Sequence, residues 1–374
     1  MTTADYVVVG TGLTGATVAR LLEDQGREVM LIERRPAVGG NVRDFLHPSG
    51  IRVHAYGPHY FRCSSRRIWD FVNRFSPFRP YRAKIQSYAG GRYHPWPLQS
   101  DRLGEFPGWE SQAPAGDPRN FEEACLQQMP RALYEQFIRG YTSRQWGMDP
   151  RELEPQLARR IRTNRAGVGE LTPTQRFQGL PILGYAAMME GMLAGIPCEC
   201  GVDYLQQRDA FRARRALIYT GPLDEFFGCD EGRLGYRGQT REHRYLPDRD
   251  LCQPCVQVNH PQAKPHEPLR SIEWKHLMPQ EDRDRSKGTV VTSEHPFTPV
   301  NSDQYEYPMP VAQHRALARR YAARAATIGR LVACGRLGEY RYFDMDQAIG
   351  RAMTLAERVL SRNERTAAAS PPVR

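Results

Sequence analysis

Lysine is scarce in this chain. Of 52 basic residues in 374, four are lysine (Lys84, Lys264, Lys275 and Lys287) and the rest are arginines spread through every segment. The formal net charge of +10 therefore comes from no basic tail or cluster. That distribution argues against the localised phosphate-neutralising patch of a nucleic-acid-binding protein. It suits a small anion, since guanidinium forks grip phosphate bidentately. Also missing is any run of about 18 apolar residues, so no membrane-spanning helix is expected. The opening MTTADYVVVG has neither the basic region nor the small-residue cleavage site of a secretory signal, which points to a cytoplasmic protein. No internal repeat occurs. Cysteine is modest at eight residues. Cys198 and Cys200 form CxC, and Cys252 and Cys255 form CxxC, spacings that can ligate zinc. About fifty residues part the two pairs, and CVQV after Cys252 reads as strand, so reduced structural thiols and no metal are expected.

The beginning of the chain is the most informative stretch. Asp5–Val9 is a valine-rich run with the character of a buried parallel strand. Gly10-Thr11-Gly12-Leu13-Thr14-Gly15 follows, then a helix over Ala16–Gln25 and a second strand over Glu28–Glu33. In this order GxGxxG has a mechanical meaning. Gly10 permits the tight turn, Gly12 lets a pyrophosphate approach the backbone, and Gly15 lets helix and strand pack closely. The helix N-terminus turns its free N–H groups toward the phosphate, and Glu33 can accept both ribose hydroxyls of an adenosine. A second glycine pair, Gly39-Gly40, comes soon after in Arg34-Arg35-Pro36-Ala37-Val38-Gly39-Gly40-Asn41. It resembles the ExxxxxGG element of glutathione-reductase-type FAD proteins and suits a long, extended cofactor.

Further on, proline and glycine mark a loop near 100–118. Helices are expected over Asn120–Gln128, with Asn120 and Glu123 at capping-box spacing, over Arg131–Thr142 and over Glu152–Arg162. Arg165–Thr174 reads as a loop, Ile182–Leu193 as a helix, and Ala216–Thr220 and Thr289–Thr292 as strands. His314–Ile328 and Asp346–Leu360 read as helices flanking a last strand at Leu331–Cys334, and a polar tail from Asn363 is expected to be disordered. The fold class is α/β: a discontinuous Rossmann-like FAD-binding fold with a helical insertion and a substrate-side antiparallel sheet. The expected division is 1–80, 182–228 and 311–362 for the cofactor, 100–165 for the helical insertion, 81–99, 166–181 and 229–310 for the substrate-side sheet, and 363–374 for the tail.

Nine stretches together resemble the UDP-galactopyranose mutase family. They are Val7–Gly15, Ile32–Asn41, VHAYGPHYF at Val53–Phe61, IWDFV at Ile68–Val72, GYTSRQWG at Gly140–Gly147, Gly179–Tyr185, Tyr219–Phe227, RSIEWKH at Arg270–His276 and GRLGEYRYFDM at Gly335–Met345. The resemblance spans Tyr6 to about Leu360 and implies a flavin-dependent isomerase. Such an enzyme interconverts the pyranose and furanose forms of a UDP-sugar, most simply UDP-galactose. Reduced flavin N5 attacks the anomeric carbon with no net redox change, NAD(P)H or another donor having first reduced the FAD. The resemblance also allows a homodimer. It implies FAD contacts at Gly10, Gly12, Gly15, Glu33, Arg34, Gly40, Asn41, Arg336 and Met345. It implies a uracil-stacking Tyr141, a sugar-side Trp146, a diphosphate grip by Arg160 and Arg270, and further substrate contacts at Tyr307, Tyr342 and Asp344. Arg160, Arg270 and His59 are the candidate catalytic residues. His59 is read as the residue whose loop covers and tunes the flavin, rather than as the acid–base group.

The chain also departs from the family pattern. The aromatic-rich FDNxYF-type segment appears here as AGVGELTP, Ala166–Pro173, and the later tyrosine of that loop is Phe177. The family's LPFN segment corresponds at best to Trp96-Pro97-Leu98-Gln99. These differences fall on the substrate side and keep a second reading open, a mutase for another NDP-sugar. An amine-oxidase-like FAD oxidoreductase, working with oxidised flavin, is a third.

Overall fold

The computed structural model describes the backbone of residues 1–368. Its first sheet has five strands in the order Cys198–Cys200, Val29–Glu33, Thr2–Val9, Phe211–Tyr219 and Leu331–Ala333, all parallel. Tyr6, Val7, Val8, Leu31 and Ile32 are buried on both faces of it, the condition under which a strand sequence loses its alternation. The helix after the first turn, Leu13–Glu23, packs on one face with Gly184–Leu193 and the long helix Met345–Ala368. Ala312–Thr327 covers the other face through Leu317, Tyr321 and Ala325. Burying each large apolar side chain stabilises the fold by roughly 1.5–3 kcal/mol. The close approach of helix to strand rests on Gly15: a Cβ there would stand 2.0 Å from the Gly10 carbonyl oxygen, which no rearrangement of side chains could relieve.

A second sheet has seven strands in the order Tyr307–Pro308, Tyr236–Leu246, Thr289–Phe297, Arg270–Glu273, Gln257–Asn259, Ile85–Ala89 and Arg92–Trp96. It is not purely antiparallel as expected, because Gln257–Asn259 runs parallel to Ile85–Ala89. Those two strands come from distant parts of the chain, so no hairpin dictates their direction. Phe177–Pro181 pairs with both Phe61–Cys63 and Phe78–Pro80 in a small third sheet. One hydrophobic core runs from the parallel sheet (Tyr6, Val8) to the seven-stranded one (Ile85, Ile272, Val290).

Residues 100–160 hold short helices around their own core of Phe121, Leu133, Tyr134, Phe137 and Trp146. Asn120 caps Phe121–Leu126, its side chain accepting from Glu123 N. Arg131–Leu133 runs through a π-helical stretch, Tyr134–Arg139, into Gly140–Trp146. The helix expected over Glu152–Arg162 is instead two 3₁₀ turns, Pro150–Glu152 and Pro155–Arg160. Pro155 has no N–H to donate and holds Glu154 extended (φ −66°, ψ 141°). The tail expected from 363 is helical through Ala368, and residues 369–374 lie outside the described part. Among the described residues no helix is long and apolar enough to cross a membrane.

Candidate functional site

The carboxyl ends of the parallel strands open into a cleft with about 1300 Å³ free of protein atoms, adjoining solvent included. Such clefts hold ligands in open α/β folds. All nine residues expected to hold the cofactor, Gly10, Gly12, Gly15, Glu33, Arg34, Gly40, Asn41, Arg336 and Met345, line it, and so does His59. Its chemistry fits a dinucleotide. Helix Leu13–Glu23 starts at Gly12 with no side-chain cap and no acid in its first turn, so its leading N–H groups remain available to an anion. A Cβ on Gly12 would meet no protein atom within 4 Å and would enter the space where a pyrophosphate would approach.

Glu33 is more committed than its place in the sequence suggests. Its carboxylate already accepts from Thr11 N (2.8 Å), Thr11 Oγ1 (2.6 Å) and Arg35 N (2.9 Å). A carboxylate offers about four acceptor directions, so one remains, and receiving both ribose hydroxyls requires the Thr11 hydroxyl to turn away. Arg34 is paired with Asp303 (2.9 Å) and Ser302 (2.6 Å). Arg35, not singled out from sequence, donates to Asn41 Oδ1 (2.9 Å) and lies 4.4 Å over the Tyr56 ring.

His59 is half-buried against the inner wall. Its backbone N–H donates to His54 Nδ1 (3.0 Å), its carbonyl accepts from Tyr185 Oη (3.0 Å), and its own Nδ1 has no protein partner. Burial, then His54, Arg336 and Arg241, push its pKa well below the ordinary 6.5. Neutral at physiological pH, it has no proton to spare as an imidazolium acid. Burial and then Arg52 push His54 down to about 3. The unfolded chain takes up protons below pH 6.5 that the folded protein refuses, so stability must fall as pH drops through that range. Wild-type protein is expected to lose, at this one residue, about 1.4 kcal/mol per pH unit between pH 6 and 4. His54→Gln, which can still accept from His59 N, should remove that slope. Urea midpoints at pH 6.5 and 4.5 check this; equal slopes in both proteins would refute it.

A second group of residues lies beside the cofactor cleft. The Arg160 guanidinium stands 3.9 Å from the centroid of the Tyr342 ring, and that of Arg336 is 4.8 Å from the same ring and 5.8 Å from Tyr307. Tyr342 Oη donates to Asp344 (3.2 Å), whose other oxygen is 3.4 Å from Arg62. Arg160 keeps access to solvent. Burial works against its charge, but Tyr342, Asp344, Tyr307 and Tyr141 surround it and outweigh that. Arg270 is similarly placed: burial opposes its charge, while Glu294, Tyr141 and Tyr307 hold its pKa well above the usual value. The two arginines come from a 3₁₀ turn and a sheet strand, yet share Tyr141 and Tyr307 as neighbours. Helix Gly140–Trp146 brings Tyr141 there because Arg237, buried in the sheet, donates to the Arg144 and Gln145 carbonyls at its C-terminus (3.2 and 2.9 Å). Trp146 is mostly packed in the helical core, 7% exposed, and offers only a distant edge-on approach to Tyr307 at 6.4 Å.

Sequence reasoning missed the support beneath Arg270. Glu294, fully buried, bonds Arg270 Nε and Arg241 Nε (2.9 Å), and Arg241 forks onto both oxygens of Glu306 (2.7 Å each). The available signal was weak: an acid inside the strand run TVVTSEHPF and an arginine inside YRGQTREHRYL. Charges within strands usually face solvent, and only the pairing of Glu294 with Arg241 across the two strands turns these inward as a set. Among the described residues no group of three or more His, Cys, Asp or Glu side chains could hold a metal. Cys198 and Cys200 lie with their sulfurs 3.8 Å apart, both as free thiols.

The fold and its cleft define a Rossmann-type nucleotide-cofactor protein with a cluster of arginines and tyrosines beside the cofactor position. The chain belongs to the UDP-galactopyranose mutase family, whose pattern matches residues 136–342, while an NAD(P)-binding Rossmann-like pattern matches residues 8–75. It is therefore an isomerase, a sugar-nucleotide mutase. It is 30% identical to a probable UDP-galactopyranose mutase of Klebsiella pneumoniae over 96% of each chain. It is 28% identical to a dTDP-fucopyranose mutase of Escherichia coli over 96% of this chain and 99% of that one. The fold is similar to that of a reduced UDP-galactopyranose mutase crystal structure, with TM-score 0.73, 17% identity and 96% of each chain covered.

Proposed function

We propose that this chain is an FAD-dependent mutase that interconverts the pyranose and furanose forms of a UDP-sugar, UDP-galactose first among them. The observation that carries this reading is the convergence of Arg160 and Arg270, from separate segments, on Tyr141 and Tyr307, with Arg336 reaching from the cofactor cleft to Tyr307 and Tyr342. FAD would be held by the glycine turn, Glu33, Asn41 and Met345 and, once reduced by NAD(P)H or another donor, would supply the nucleophile for the anomeric carbon without net oxidation. The protein's own residues do the rest. The outer N–H groups of Arg160 and Arg270 take the charge that develops on the diphosphate as it leaves the sugar, and hold it close for return. The Tyr141 face suits the flat base. Neutral His59 packs against the cofactor position and leaves departure of the diphosphate to charge stabilisation.

A second reading keeps the chemistry and changes the sugar nucleotide. It is favoured by the loop Ala166–Pro173, which has no aromatic residue and is anchored by Arg82–Glu170 (2.7 Å) and Leu171 N to Ala83 O (2.9 Å). The dTDP-fucopyranose mutase similarity, nearly as high as that to the UDP-galactopyranose mutase, supports it too. One experiment separates these readings and tests both. The purified protein is incubated with UDP-galactofuranose and a panel of dTDP- and N-acetyl sugar nucleotides, with and without dithionite. Turnover of UDP-galactofuranose by reduced protein alone is expected. Preference for a dTDP-sugar would shift the assignment to the second reading. Equal turnover by oxidised protein, or oxygen consumption, would overturn both.

A further inference from the structure

A second cleft lies behind the cofactor wall, with about 1260 Å³ free of protein atoms, adjoining solvent included. His54 and Tyr185 line it, and both bond the backbone of His59, which faces the first cleft. A single layer of side chains thus separates the two. Its charged lining is Arg52, Arg79, Arg285 and Lys287 against Asp44 and Asp282. Asp44 is fully used: it accepts from Tyr185 N (2.7 Å) and Ala186 N (3.1 Å), capping helix Gly184–Leu193, and pairs with Arg52 (3.2 Å). Three cations then remain against one acid. Among the described residues no carboxylate lies within 4.0 Å of Arg79, Arg285 or Lys287. Arg79 is half-buried, and burial lowers its pKa; the Tyr81 ring, 5.6 Å from its guanidinium, and then Asp282 oppose that, but neither supplies a carboxylate in contact. A half-buried guanidinium without a counter-ion is costly unless an anion joins it. Leu180, Leu277 and Met278 give the cleft an apolar floor.

We propose that this second cleft binds a small phosphate ester carrying about two negative charges, with Arg79 and Arg285 on the phosphate and the apolar floor under its organic part. The surplus of two positive charges matches a phosphomonoester, and planar guanidinium groups present paired N–H donors to two of its oxygens. The site is independent of the substrate pocket around Arg160 and Arg270.

The test is equilibrium dialysis of phenyl phosphate against the purified full-length protein held in saturating UDP, which fills the substrate pocket. One phenyl phosphate per chain is expected. Affinity should fall at least tenfold in Arg79→Ala and again in Arg285→Glu, while UDP affinity stays unchanged. Arg285 is exposed, so its substitution leaves the core intact and carries the test should Arg79→Ala fold poorly. Absence of binding in the presence of UDP, or binding that Arg285→Glu leaves unaltered, would overturn the proposal.

Discussion

Arg270→Ala is expected to lower kcat/KM by about a thousandfold while leaving the flavin bound, on the scale of removing one preorganised charge-stabilising donor. Nε of Arg270 is held by buried Glu294, so the outer edge of the guanidinium faces the pocket shared with Tyr141 and Tyr307. The fork is thus aimed before substrate arrives, and the stabilisation needs no reorganisation. Arg270→Lys should recover little, below about 1% of activity, because one ammonium cannot both satisfy Glu294 and present a two-pronged donor. Glu294 keeps its bond to Arg241 in either variant, so the sheet should stay folded. Steady-state kinetics with the flavin absorbance per chain check both points. Loss of flavin from Arg270→Ala would move this residue out of the substrate pocket. Recovery of most activity in Arg270→Lys would show that a point charge is enough.

Gly12→Ala is expected to fold as the wild type does and yet purify with less than a tenth of its flavin. Gly12 has φ −65° and ψ 175°, open to any residue, and its added methyl would touch no protein atom. What it would occupy is the approach to the uncapped N-terminus of helix Leu13–Glu23, where the backbone must come close to a pyrophosphate. Gly15→Ala makes the contrast: its Cβ would collide with the Gly10 carbonyl, so that variant should lose stability as well as cofactor. Flavin content and thermal melting, measured together, separate the two. A flavin-replete Gly12→Ala would mean that the pyrophosphate lies elsewhere.

Much of this protein is readable before folding because its signals are local. The turn Gly10–Gly15 needs only the order strand, glycine turn, helix and acid, and each of these is a neighbour in sequence. The cap at Asn120 is equally local. Other stretches differ from what their local signals suggest. Glu152–Arg162 carries helix-forming residues, yet Pro155 breaks the ladder. Trp146 sits in a motif that points to the substrate, yet the helical core takes up most of its ring. Glu33 keeps its position but has less free acceptor capacity than its position promises, because Thr11 and Arg35 reach it first.

By itself the sequence determined the Rossmann-like opening and the family, since both are written in contiguous motifs. Only the tertiary structure decided what lies behind Arg270. Arg241, Glu294 and Glu306 lie on different strands or beyond them, and nothing local distinguishes a buried charge from a solvated one until sheet pairing turns the side chains inward together. The same holds for the second cleft: Arg52, Arg79, Arg285 and Lys287 are four among many basic residues until the fold sets them around one space with a single acid left to oppose three of them. Only the fold shows that Arg79 among them is half-buried while Arg285 and Lys287 stay exposed.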